Sequence, residues 1–117
     1  MRDDRKNIIV EMTMNYSLKI VDYAEILESK RKYIVARQLL HSGTSIGANI
    51  HEAQNAESKA DFIHKFKIAA KEADEQSHWL ELCTKAKSYP NPEPELKVNL
   101  IGIIKVISKI LSSSKGN

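Results

Sequence analysis

Between Gln38 and Ala53 the chain reads Gln-Leu-Leu-His-Ser-Gly-Thr-Ser-Ile-Gly-Ala-Asn-Ile-His-Glu-Ala, and helical spacing sorts these residues by type. Val35, Leu39, Ile46, Ile50 and Ala53 fall on one apolar face, each separated from the next by whole turns. Gln38, Ser42, Ser45, Asn49 and Glu52 form a polar stripe beside it at alternating steps of four and three. Gly43 and Gly47 lie one turn apart and strip the bulk from a third line. Each glycine costs a helix roughly 1 kcal/mol relative to alanine, so packing must offset the loss. The simplest offset is a neighbouring helix at close approach. The stretch therefore predicts a helix buried around most of its circumference, with its small and polar groups facing other helices.

The rest of the chain supplies such neighbours. Ile9, Met12, Tyr16, Ile20, Tyr23 and Leu27 step by three or four and predict a first helix from Asn7 to Ser29. Ser29-Lys30-Arg31-Lys32 reads as the break, a polar connection without glycine or proline, with a kinked continuous helix as the alternative, and the second helix runs from Tyr33 to Ala53. Ser58 is a suitable N-cap with Asp61 three positions on, where an acid also meets the positive end of the helix dipole. From there to Lys87 two adjoining stripes run side by side: Ile63, Phe66, Ala70, Ala73, Ser77, Leu80, Thr84 and Phe62, Phe66, Ala69, Ala73, Gln76, Leu80, Cys83. Two stripes mean two neighbours. Pro90, Pro92 and Pro94 stop this helix, since each lacks an N–H and restricts the residue before it. A fourth helix opens near Pro94 or Glu95 with Leu96, Leu100, Ile103, Ile104, Ile107, Ile110 and Leu111 on its apolar face. Ile101 and Val106 widen that face, which predicts cover on more than one side, and Ser112–Asn117 reads as a frayed tail. The expectation is an all-α, up-and-down antiparallel four-helix bundle, with residues 1–117 as a single domain.

Composition narrows the class further. A chain of 117 residues can bury a core without staples. The charged start leads into Ile8-Ile9-Val10, too short for a signal-peptide core, and no apolar run approaches a membrane span. The single cysteine, Cys83, cannot form an internal disulfide and fits a reducing cytoplasm; its apolar neighbours read it as a structural thiol. The net charge is +3 and the pI about 9.0. The basic excess gathers on Arg31, Lys32 and Arg37 in one segment and on Lys105 and Lys109 in another. These five are the candidate nucleic-acid-binding residues, against the plainer reading of a solvated basic face.

Ser45-Ile46-Gly47-Ala48-Asn49-Ile50-His51-Glu52-Ala53, followed by Asp61-Phe62, Ile68-Ala69, Glu75 and Leu80 and preceded by Gln38, resembles the bacterial four-helix-bundle family encoded in intervening sequences of 23S ribosomal RNA genes. The resemblance spans almost the whole chain. It implies a cytoplasmic four-helix bundle assembled into a homopentameric ring, in a family most of whose members have no assigned biochemical activity. It also implies kinship with the accessory protein of diversity-generating retroelements, whose basic pentamer engages nucleic acid and a reverse transcriptase. The chain departs from the family pattern at His41-Ser42-Gly43, where many members have arginine, and at Lys71-Glu72, where many have glycine-serine.

Other site chemistries fare worse. Gln38, Ser45, Asn49, Glu52 and Glu75 read as a structural polar network that fixes helix register, because buried polar groups must be paired. Glu75 and His78 have the Glu-x-x-His spacing of di-iron bundles, with Asp61 and His64 a looser cousin. Such sites need two pairs on different helices and two further glutamates, and here both pairs share one helix. No glycine-rich phosphate loop or nucleophile elbow is present in the sequence. The reading is of a non-enzymatic oligomeric scaffold that binds RNA, DNA or a nucleic-acid-processing protein through its basic surfaces, with no cofactor and no metal. The alternatives are a protein-only interaction module and a metal-binding bundle enzyme resting on Glu75 and His78. Trp79 lies near the edge of the third helix's apolar face, which suits either the core or a subunit interface.

Overall fold

The computed structural model describes residues 4–115, with the side chains of residues 8–114. Four helices follow one another: α1 (Asp4–Ser29), α2 (Tyr33–Ala53), α3 (Lys59–Lys85) and α4 (Pro94–Lys115). Each packs against two others, α1 on α2 and α4, α3 on α2 and α4, and among the described residues neither diagonal pair brings its backbones close, though Tyr16 of α1 reaches Gln76 of α3 across the core. With short connections this is the up-and-down antiparallel bundle, 48 × 22 × 19 Å in extent. α2 lies nearer to both its neighbours than α4 does.

Local chemistry sets the breaks. At the end of α1 the Lys32 N–H reaches back to Leu27 O at 2.9 Å and the Arg31 N–H to Glu28 O at 2.9 Å. This is a Schellman closure, and it places Arg31 in the left-handed region at φ 63°, a position that glycine normally fills. Ser58 caps α3, accepting from the Asp61 N–H at 3.0 Å, while Asp61 Oδ2 accepts from the Glu57 N–H at 3.2 Å. α3 ends at Lys85, two residues before the expected limit, because Ala86 turns to extended backbone at φ −71°, ψ 119°. The proline segment is tied to α1 by the Tyr23 hydroxyl, which donates to Pro90 O at 2.6 Å. Two other limits also differ from expectation. α1 starts at Asp4, and α4 includes Ser112–Ser114, which the sequence assigns to the tail, with Leu111 still packed on the core; Gly116 and Asn117 lie outside the described residues.

The core is the expected one in its centre. Ile9, Tyr16, Ile20, Tyr23 and Leu27 of α1 meet Leu39, Ile46 and Ile50 of α2, Phe66, Ala69, Ala73 and Cys83 of α3, and five buried residues of α4 from Leu96 to Ile110. Of the two α3 stripes, the one through Ala69, Gln76 and Cys83 is inside, while Ser77 and Thr84 face out. Ile101 is exposed rather than covered.

The close approach sits at Gly43, not evenly along the glycine line. A Cβ at Gly43 would lie 2.8 Å from Gln76 Oε1 and 2.9 Å from Ile20 Cγ2, whereas one at Gly47 would meet Thr13 and Ser17 at an ordinary 3.4 Å. Gln76 fills the space that Gly43 leaves. It is fully buried, and its Nε2 donates to Ser42 Oγ at 2.7 Å and Leu39 O at 2.9 Å.

Candidate nucleic-acid interface

The α1–α2 turn and the α3–α4 connection share one end of the bundle, where Lys32 Nζ lies 5.0 Å from the centre of the Tyr89 ring. Lys30 and Arg31 are exposed in the turn, Arg37 is exposed one turn into α2, Lys85 ends α3, and Lys87 lies in the connection after it. The C-termini of α1 and α3 place negative dipole ends beside Lys30, Arg31, Lys85 and Lys87, while the N-termini of α2 and α4 bring positive ends to the same end of the bundle. Tyr33 adds an exposed ring beside them. Lys85 is paired with Glu81 at 2.8 Å; the hydrogen bond and charge of Glu81 raise the Lys85 ammonium above its ordinary value. Glu25 and Glu28 are exposed in the last two turns of α1, and toward α1 and α4 Asp22, Glu93 and Glu95 line a groove of about 320 Å³, with Glu95 engaged by Lys19.

Sequence reasoning therefore located half of this cluster. Lys30 stands next to Arg31 in the chain, whereas Lys85 and Lys87 join Arg31, Lys32 and Arg37 only because the fold returns the chain to the same end. Lys105 and Lys109 do not join them. They are exposed on α4, eleven and fifteen residues beyond Pro94, which puts them roughly 16 and 22 Å down the helix axis.

The five residues expected to form one polar network are not connected within the chain. Gln38, Glu52 and Glu75 are exposed, and Ser45 and Asn49 are half-buried. Asn49 Nδ2 donates to Ser45 O at 2.9 Å inside α2, and Lys65 Nζ reaches Glu52 Oε1 at 2.9 Å. The physical reason is the rotation of α2: Gly43 and Ser42 face α3, which turns Gln38 and Glu52 outward. The buried polar cluster is instead Ser42, Gln76 and Tyr16. Its signal in the sequence was a glutamine on an otherwise apolar stripe.

Glu75 and His78 are exposed on α3, as is His64, and among the described residues no three His, Cys, Asp or Glu side chains gather where they could hold a metal ion. Cys83 is buried, and desolvation pushes its thiol up, with the Tyr23 hydrogen bond opposing. That is the environment of an inert structural cysteine. Trp79 packs half-buried against the core, its indole N–H without a partner among the described residues. No described helix is long and apolar enough to cross a membrane.

Residues 5–113 match the family described as 23S rRNA-intervening sequence protein. The chain is also similar to a protein from Bacteroides thetaiotaomicron whose 1.70 Å crystal structure is described as a protein with unknown function from the S23 ribosomal protein family. The two share 34% identity over 92% of this chain and 98% of the other, with a TM-score of 0.87. No curated protein matches the chain.

Proposed function

The chain belongs to the 23S rRNA-intervening sequence protein family, and on that footing we propose that it is a non-enzymatic scaffold that assembles with copies of itself and holds RNA or DNA by the phosphate backbone. The observation that carries this reading is the basic end: Lys30, Arg31, Lys32, Arg37, Lys85 and Lys87 collected from two connections, with Tyr33 exposed beside them. Phosphate contacts need cations more than they need a shaped pocket. One copy presents too few for tight binding, and assembly multiplies them. The scaffold works in the cytoplasm on this reading, and neither a cofactor nor a metal enters it.

The test is fluorescence anisotropy with mixed-sequence RNA and duplex DNA at low and moderate salt, on the wild type and on a variant with Lys30, Arg31 and Lys32 changed to Gln. Binding that weakens with salt and is lost in the variant supports the reading. Absence of binding at low salt leaves a protein-only interaction module.

A further inference from the structure

α1 has a second apolar line that the bundle does not use. Met14, Leu18 and Val21 are 61%, 58% and 38% exposed, one above another at helical spacing, with exposed acids Glu11 below and Glu25 above on the same line. α4 has a shorter counterpart of opposite charge. Val98 and Ile101 are 66% and 44% exposed, and the same face continues into Lys105 and Lys109. The α1 line does not suit a copy of itself, since acids close it at both ends, and two parallel α4 lines would set lysine against lysine. Each suits the other.

Their heights also agree. A Cβ on Gly102 would lie 3.6 Å from Met12 Cε, and Lys19 pairs with Glu95, so seven residues up α1 match seven residues back along α4. By this register Met14 is level with Leu100, Leu18 with Leu96 and Glu11 with Ile103. Ile101, Val98 and Lys105 are therefore one or two residues from level with Met14, Leu18 and Glu11, an offset of roughly 1.5–3 Å. On antiparallel helices the Cβ lean toward each N-terminus closes the two-residue offsets. Two copies related by rotation about an axis along the bundle, with no sliding, bring these lines together. A repeated contact of that kind closes into a ring instead of growing into a filament.

We infer that α1 of one copy docks on α4 of the next, Leu18 and Met14 against Val98 and Ile101, with Glu11 facing Lys105 across the junction. The inference rests on the self-assembly proposed above and adds its faces: a head-to-tail contact in which Lys105 serves assembly rather than nucleic acid.

Light scattering over a concentration series tests it on the wild type, Glu11→Lys, Lys105→Glu, the double variant carrying both, and Leu18→Glu, with circular dichroism confirming that each stays helical. The wild type is expected at a multiple of 13.3 kDa. Each single change is expected to raise the concentration needed for assembly by about tenfold or more, because like charges then meet at every junction, and the double variant restores it. A wild type at 13.3 kDa throughout overturns the self-assembly reading and this contact with it. An assembled wild type whose single variants assemble as well as it does, or whose double variant fares no better than the singles, overturns this contact alone.

Discussion

Tyr16 and Gln76, 60 residues apart in the chain, meet in the centre of the bundle, where the Tyr16 hydroxyl donates to Gln76 Oε1 at 2.9 Å. The other end of the same amide donates to Leu39 O and Ser42 Oγ, so one side chain ties α1, α2 and α3 together. Gly43 leaves the room for it. A buried amide is tolerable only when both its ends are satisfied, which makes Tyr16, Gln76, Ser42 and Gly43 a single packing unit.

Tyr16→Phe leaves Gln76 Oε1 buried without its donor, and the expected loss is about 1–3 kcal/mol. Gln76→Leu alone orphans the tyrosine hydroxyl in the same way. The double variant removes both polar partners, so its loss falls well short of the sum. Urea unfolding of the four proteins checks this, and strict additivity would contradict it.

Stability should fall on the alkaline side. Burial raises the Tyr16 phenol well above its ordinary value, and burial foremost, with Cys83 beside it, does the same for Tyr23. Below the unfolded phenol value of about 10 both are protonated in either state, and their contribution is fully present. Above it the unfolded chain ionises first and binds fewer protons than the folded one, so stability is lost as pH rises toward the folded values. The raised Cys83 thiol starts the decline somewhat earlier. The urea midpoint is expected to drop between about pH 9 and pH 11, less steeply in Tyr16→Phe.

The two glycines of α2 should respond oppositely to alanine. Gly43→Ala places a methyl 2.8 Å from Gln76 Oε1 and 2.9 Å from Ile20 Cγ2, and the overpacking outweighs the helix-propensity gain, for a net loss of about 1–3 kcal/mol. Gly47→Ala meets ordinary contacts at 3.4 Å and gains up to about 1 kcal/mol of helix propensity. Thermal melts of the pair decide it; equal shifts would contradict the packing described for Gly43.

Arg31 occupies a left-handed conformation at φ 63°, which costs a non-glycine residue about 1–2 kcal/mol. Arg31→Gly is therefore expected to raise the melting temperature by several degrees, roughly 3–6 °C for a chain of this size, while weakening nucleic-acid binding. A fall in melting temperature would show that the arginine side chain contributes more to folding than its backbone strain removes.

Periodicity was enough to read the helices. The α2 limits Tyr33 and Ala53, the Ser58 cap and the start of α4 at Pro94 all follow from residues that have one physical use each. What periodicity does not give is the rotation of a helix that is polar on one flank and apolar on the other. α2 turns Ser42 inward and Gln38 and Glu52 outward, a choice made by Gln76 on another helix. The Arg31 backbone was hidden for a similar reason, since nothing in Ser-Lys-Arg-Lys marks the residue that must turn left-handed. The basic end was half legible: Arg31, Lys32 and Arg37 cluster along the chain, but Lys85 and Lys87 reach them only through the antiparallel return of α3.

The most direct test of the scaffold reading is the salt dependence of duplex-DNA affinity, measured by anisotropy on the wild type and on Leu18→Glu. Each phosphate neutralised contributes about 0.9 to the slope of log affinity against log salt. Basic ends repeated around an assembly predict a steep slope for the wild type and a much shallower one once the copies are separated. A wild type that binds no nucleic acid at low salt, or whose slope is unchanged when the assembly is dissociated, would contradict the account.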